Sequence, residues 1–390
     1  MLFLHLSLYR VSHQTIARFL LIIVLVASSF SCTSSVKIDD NSTKTTVYYA
    51  GFGFMGRFDN IAEKFPHAAR LNQQKGRQIG RLTAYFTEQL KQQNFNNIVV
   101  NFNSVDQNRN RPLMLAMSVE RETLSLDRGN NPIVEISAQL LFFDYESRVL
   151  LGNLHIPVAF KGIKGADNKS DIEKLFEQAY FSKTGLFNIA NNKLKTLALS
   201  DFEGIRLQVA SVSLEDGAKK FLPQANSQLI MEEYIGQYAS AMLGKHKVNI
   251  IPFSKGATIG RQMAIRLNDT SAFNLVLPKA DYELDITLQR TDLMAKKHWN
   301  IYGVKFDIAA KQSFNNKSVL NMPLFYTSKV KANTKEKALD QWAPFEDAIE
   351  SSLADWAKQF SNPSSKWCKR YSSGSAACAQ LKQFKQTLSI

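Results

Sequence analysis

Three cysteines carry the most distinctive chemistry: Cys32 follows an apolar run, whereas Cys368 and Cys378 lie close together near the C-terminus. A thiol can be acylated, oxidised to a disulfide or bound to a metal. Apart from Cys32, the even remainder of Cys368 and Cys378 is expected to form a bridge in an oxidising compartment. Closing the polar loop between Cys368 and Cys378 is worth roughly 2.8 kcal/mol on the loop-entropy account. Two free thiols are the alternative. Zinc is disfavoured, because no histidine lies near enough in sequence to fill a tetrahedral shell. His67, His155, His246 and His298 are widely spaced, with no H-E-x-x-H or G-x-S-x-G pattern. His155, between Leu154 and Ile156 on an alternating strand, is expected on the polar face. Gly51-Phe52-Gly53-Phe54-Met55-Gly56 meets the G-x-G-x-x-G spacing of a pyrophosphate-binding turn. Pro66 cuts the following helix short and two phenylalanines crowd the turn, so a glycine-bearing strand exit is the preferred reading. Asp144-Tyr145-Glu146 reads as a hairpin turn and Glu232-Glu233 as a solvated helix face, rather than as acid–base pairs. No cofactor, metal or enzymatic activity is expected.

The N-terminus supplies an address. Arg10 and Arg18 precede an apolar run at residues 19–26, and small residues then lead to Cys32. Such a run is too short to cross a hydrocarbon core of ~30 Å, which needs about 20 residues. Ser29-Phe30-Ser31-Cys32 resembles the lipobox of bacterial lipoproteins, whose cysteine is diacylated and becomes the mature N-terminus. Leu is usual where Ser29 stands, and Phe30 is bulkier than most residues there. The resemblance implies a signal peptide at residues 1–31, palmitate-type acylation of Cys32 and a lipid-held cell-envelope protein. Thr33 and Ser34 replace the aspartate that commonly causes inner-membrane retention, which implies an outer-membrane protein facing the periplasm. Ordinary signal-peptidase cleavage or an uncleaved anchor are the alternatives.

Composition bounds the rest. A chain that is 45% hydrophobic and 21% charged is globular rather than disordered. Its formal charge of +14 suits anionic partners such as lipid head groups, lipopolysaccharide or cell-wall polymers, although Lys and Arg are spread along the chain and a merely soluble basic surface is the preferred reading. Nucleic acid is a poor partner for an exported chain. From Lys366 onward no acidic residue occurs, so Lys366, Lys369, Arg370, Lys382 and Lys385 form the best candidate for contact with an anionic surface. The tail at residues 363–390 shows no core pattern and is expected to stand apart from the folded units.

The elements that would position these residues fall into two matching series. After a polar tether at residues 32–44, the first series (45–200) runs through a strand at 46–54, a helix at 73–93, a short strand at 98–100, three alternating strands and a helical stretch. That stretch opens at the capping box Ser170-Asp171-Ile172-Glu173 and breaks near Gly185. The second series (201–362) repeats this order with a strand at 205–214, a helix at 227–243 bearing Ile230, Tyr234, Tyr238 and Ala241, and a short strand at 248–251. An insertion read as a small helix at 259–267 comes next, followed by three more alternating strands. A final helix from Pro344 carries Phe345, Ile349, Leu353, Trp356 and Phe360 on its core face. The long strands recur at 115 and 282, 134 and 302, and 154 and 320. The expected fold is α+β, with two tandem β-α-β-β-β-β-α sandwich-like units.

This order of elements, with the strand Ala280-Asp281-Tyr282-Glu283-Leu284-Asp285-Ile286, resembles the TolB N-terminal, CsgG-like and flagellar assembly protein T group of envelope proteins. The glycine usual near Asp285 is absent. The resemblance implies a non-enzymatic scaffold or regulator that docks onto an envelope assembly. A ligand-binding or hydrolytic surface protein, with a site between the two units, is the competing expectation.

Overall fold

The structure, a computed structural model, describes residues 44–56, 61–72, 80–105, 111–126, 131–162, 169–222, 227–254, 262–267, 272–331, 342–361, 364–371 and 375–388. The expected signal segment at residues 1–31, Cys32, Asn362 and Pro363 lie outside them. The first half comprises β1 (Thr45–Met55), α1 (Ile61–Lys64), α2 (Pro66–Asn72), α3 (Arg81–Lys91), β2 (Ile98–Asn101), β3 (Leu113–Leu126), β4 (Pro132–Asp144), β5 (Leu150–Lys161), α4 (Lys169–Phe181) and α5 (Leu186–Thr196). The second comprises β6 (Leu207–Leu214), α6 (Asp216–Lys219), α7 (Ser227–Lys245), β7 (Ile250–Ile251), β8 (Gln262–Leu267), β9 (Ala272–Val276), β10 (Tyr282–Ala295), β11 (Trp299–Gln312), β12 (Ser318–Lys331), α8 (Ala343–Ser361), α9 (Ser365–Tyr371) and α10 (Ser375–Thr387).

The chain is α+β, and its halves repeat one plan. β1 lies parallel to β2 and β3, and β3-β4-β5 form an antiparallel meander. Likewise β6 lies parallel to β7 and β10, and β10-β11-β12 form the second meander. The irregularities repeat as well. Extra residues fall at Ala50 in β1 and Ala210 in β6, at Glu120 in β3 and Gln289 in β10, and at Leu151 in β5 and Val319 in β12. Bulges re-aim side chains and persist within families, so this coincidence marks a repeated unit more firmly than residue identity does. On each sheet the alternating apolar residues face helices. Leu115, Met117 and Val119 pack with Phe86, Phe176 and Phe187, while Leu284, Ile286 and Leu288 pack with Phe345, Ile349 and Leu353.

The insertion between β7 and β10 departs from expectation. The small helix read at 259–267 is a strand over its described part: β8 pairs antiparallel with the end of β1, and β9 pairs with β8. Met263 and Ile265 alternate inward, a period of two that suits a strand rather than a helix. An isolated bridge from Val149 to Val276 joins β9 back to the start of β5, so the first sheet meets itself at that end. Tyr48, Met114, Leu141, Phe143, Met263, Ile265 and Leu275 fill a third core there. The second half thus supplies two strands to the first sheet, and residues 44–390 form one compact unit.

The tail also differs. It is not coreless: α9 and α10 place Trp367, Cys368, Cys378, Leu381 and Phe384 in the second core, with Phe384 packed edge-on to Tyr282 and Phe360. α4 begins at Lys169, which puts Ser170 inside the first turn rather than at its cap.

Deleting residues 364–390 is therefore expected to destabilise the fold strongly. Each large apolar side chain buried contributes about 1.5–3 kcal/mol, so loss of Trp367, Leu381 and Phe384 together should cost about 5 kcal/mol or more. Thermal melts of the truncated and full chains check this, and an unchanged midpoint would return the tail to a peripheral role.

Candidate functional site

Titratable groups converge where the second half covers the outer face of the first sheet. The bulge at Glu120 turns two successive residues, Glu120 and Arg121, toward that face, where strict alternation would have sent one of them into the core. α7 lies across this face with its other side on the second core, and both sides are buried: Met231, Ile235, Ala239 and Leu243 on one, Glu232, Gln237 and Ser240 among the rest. Glu232-Glu233 is thus not a solvated face: Glu232 is buried and Glu233 half-buried, while Ile230, expected in the core, is 66% exposed. A Cβ on Gly244 would stand 2.7 Å from the His155 ring, so glycine is what lets the end of α7 close onto β5.

At the centre, Glu120 is fully buried. It accepts hydrogen bonds from Ser137 Oγ and Gln139 Nε2, each at 3.1 Å, and Asn153 donates to Gln139 Oε1 at 3.1 Å. Burial pushes the Glu120 carboxyl up to about 7, with the Gln139 and Ser137 hydrogen bonds and the charges of Arg121 and Lys64 acting the other way. His155 Nδ1 lies 4.0 Å from Glu120 Oε2. Burial, reinforced by Lys193, pushes the imidazole down to about 3, so this contact at neutral pH is not an ion pair. His155 does sit on the polar face as expected, but α7 covers it.

Arg121 binds the halves together. Its guanidinium lies over Tyr234 at 4.7 Å and Tyr238 at 5.3 Å, both on α7. It also faces Glu350 of α8 at 3.4 Å and Glu135 of β4 at 3.7 Å. Tyr234 donates a hydrogen bond to Glu350. Burial, then the neighbouring Glu350, raise Glu135 to about 7, against the pull of Arg121. At the edge, Lys64 of α1 meets Glu233 of α7 at 2.9 Å, a partly exposed pair of small energetic weight. The equivalent face of the second sheet has no such cover among the described residues. There Ser211 and Lys311 reach Asp285, Ser213 pairs with Thr287, and Gln289 donates to Asp307.

The other candidates are dispersed. His67 stacks on Phe176 at 3.6 Å, and its N–H and that of Ala68 donate to Glu122, whose carboxyl burial raises to about 7. His246 follows α7, and His298 sits at an exposed hairpin tip. Gly51 and Gly53 lie within β1, with Phe52 and Phe54 buried, so their spacing forms no phosphate-binding turn. Asp144 occupies a hairpin turn and accepts from Ser147 N–H and Oγ at 2.7 Å. Cys368 and Cys378 are bridged, with Cα atoms 6.0 Å apart. Lys366, Lys369, Arg370 and Lys382 point outward and Lys385 is half-buried. Among the described residues no group of three or more His, Cys, Asp or Glu is placed to hold a metal. Two depressions, of about 360 Å³ beside Lys174 and Phe181 and about 100 Å³ beside Leu90 and Phe102, exclude the Glu120 cluster.

No family model and no curated protein matches the chain. Among solved structures it is similar to a hypothetical protein from Chlamydia trachomatis, with 8% identity and a TM-score of 0.28 over 41% of this chain and 96% of that one. A PelC dodecamer subunit from Paraburkholderia phytofirmans aligns with 13% identity and a TM-score of 0.21 over 39% and 85% of the two chains. A minor lipoprotein from Acinetobacter baumannii aligns with 12% identity and a TM-score of 0.19 over 43% and 96%. Scores below 0.5 assign no family.

Two outcomes follow from the seam. Arg121→Ala leaves Glu135 and Glu350 facing each other without a cation and should destabilise the fold by about 3 kcal/mol, measured by denaturant unfolding. Glu120 holds its proton in the folded chain between its ordinary carboxylate range and about 7, whereas the unfolded chain has lost it. Its contribution is therefore fully favourable below the unfolded value and declines as pH rises through about 7, by about 3 kcal/mol in all. Glu120→Gln should remove that decline. Stability curves at pH 5 and pH 8 check it, and an equal pH slope in both proteins refutes it.

Proposed function

We propose that this is a lipid-anchored cell-envelope protein, held through Cys32, that acts as a scaffold or regulator by docking onto an envelope assembly. The observation that carries this reading is the use made of the converging ionisable groups. Glu120, Arg121, Glu135, His155 and Glu350 are packed between the two halves and hold them together, instead of lining a cavity into which a substrate could diffuse. α7 packs where the halves meet, which supports docking over a hydrolytic site between them. What faces outward is basic: Lys366, Lys369, Arg370 and Lys382 project from α9 and α10, whose opposite sides are fixed to the core. Short, rigid, positively charged helices suit an acidic partner or an anionic lipid or cell-wall polymer better than a loop would, because little side-chain support must be ordered on binding.

The anchor reading rests on the junction at Ser29-Phe30-Ser31-Cys32, with Thr33 and Ser34 favouring the outer membrane over the inner. The tandem, TolB-like arrangement of the group named above belongs to the same proposal.

Cys32→Ala is expected to move the chain from the membrane fraction to the soluble one or to leave its signal uncut, and mass spectrometry of the wild-type N-terminus should show an acylated Cys32. An unmodified mature terminus rejects the anchor. In the same cells, mild crosslinking should recover one large envelope assembly with the wild-type chain. Recovery that survives Lys366→Glu, Lys369→Glu, Arg370→Glu and Lys382→Glu together removes the basic helices from the docking surface.

A further inference from the structure

The hairpin between β10 and β11 ends in a tip where every residue from Asp292 to Trp299 is exposed. Lys296 N–H donates to Trp299 O at 2.8 Å, closing a two-residue turn at Lys297-His298. The helix layer covers this hairpin as far as Tyr302, on whose ring Phe345 packs edge-on at 5.1 Å. Leu293 pairs with Tyr302, so the strands beyond that point project past the packed core. Three large apolar side chains are exposed there: Leu293 at 41%, Met294 at 55% and Trp299 at 48%. Met294 is paired with half-buried Ile301, and Ile301 with exposed Lys329 of β12. Lys296 and Lys297 lie at the apex, beyond Met294 and Trp299, so these two apolar side chains are presented on one face of the hairpin end rather than at its extreme. Asp292, the acidic residue of this hairpin end, is already met by Arg290 at 2.7 Å.

We propose that this tip is a membrane-contact element that inserts Met294 and Trp299 into the interfacial region of an anionic lipid bilayer, while Lys296, Lys297 and Lys329 meet the headgroups. Trp is suited to that depth because its ring is apolar and its N–H is polar. Lysines at the rim add attraction to anionic lipid that falls away within a Debye length. A protein partner fits the tip less well. A stable protein interface covers about 800 Å² on each side, more than this narrow hairpin end offers, whereas laying the Met294 and Trp299 face ~5–10 Å into the interfacial region needs only that end. The contact is separate from the acyl anchor at Cys32, so each can fail without the other.

The fold itself provides the probe. The chain has four tryptophans, and Trp342, Trp356 and Trp367 are 3%, 0% and 8% exposed, so a change of tryptophan emission on binding reports Trp299. The chain from residue 33 onward, which contains the whole compact unit of Lys44–Ile390 but no lipidation site, is mixed with phosphatidylcholine vesicles containing or lacking about one third phosphatidylglycerol. Emission should shift to the blue and be quenched by brominated acyl chains, only when phosphatidylglycerol is present. Met294→Ser with Trp299→Ala should weaken sedimentation with these vesicles about tenfold or more, as should Lys296→Glu with Lys297→Glu. All four changes lie on exposed positions, and an unchanged melt confirms that each variant is folded. Absence of binding overturns the proposal. So does binding without quenching, or binding that the Met294 and Trp299 changes leave intact, because either would mean that charge alone holds the chain at the surface.

Discussion

The outer face of the first sheet has to be covered, and most of the architecture follows from how that is done. Ser118, Glu120, Ser137, Gln139 and His155 are too polar to form a dry core and, at under 5% exposure each, too buried to be left to water. The second half supplies the cover twice, with α7 over the hydrogen-bonded patch and with β8 and β9 over the apolar one. α7 must therefore satisfy two surfaces at once. It consequently buries polar as well as apolar side chains, needs glycine at Gly244, and spends two tyrosines on one arginine. The second sheet, built on the same plan, escapes this demand because its outer face carries a hydrogen-bonded ladder of Asp285, Lys311, Ser211 and Gln289 that solvent can complete.

Arg121 illustrates why such a seam is selective rather than simply adhesive. Drawing Arg121, Glu135 and Glu350 largely out of water is expensive, and the attraction of Arg121 for the two carboxyl groups, that of Glu135 being raised to about 7, offsets that cost with Tyr234 holding Glu350. A guanidinium that must meet two carboxyl groups and two tyrosine rings constrains the approach of the halves more than apolar contact alone does.

The repeated meander was readable because long strands advertise themselves: Tyr282, Leu284, Ile286 and Leu288 alternate without interruption, and so do Val134, Ile136 and Ala138. The final helix was readable for the same reason, its Phe345, Ile349, Leu353, Trp356 and Phe360 all being fully buried. The seam was not. Its key pair sits at a bulge, where alternation fails by one residue, and nothing local distinguishes Glu120-Arg121 from an exposed charged pair. α7 misled for a related reason: a helix buried on two sides has no polar face, so Glu232 was read as solvated when it packs. The tail held a usable signal that its charge obscured, since Cys378, Leu381, Phe384 and Leu388 recur at helical spacing and line the core. The pairing of β8 with β1 was beyond local reading, being a contact between residues some two hundred positions apart.

That last pairing has a consequence for the order of assembly. A chain made or delivered N-terminus first presents β1 long before β8 exists. Until residues 262–276 arrive, the far half of β1 is an unpaired edge, Val149 has no bridge to Val276, and Met114, Leu141 and Phe143 face solvent. Unpaired edges and bare apolar faces are where nascent chains aggregate or are held by chaperones. The first half thus finishes last, and the span between its own strands and the hairpin that closes it is the interval during which this protein most needs a guardian.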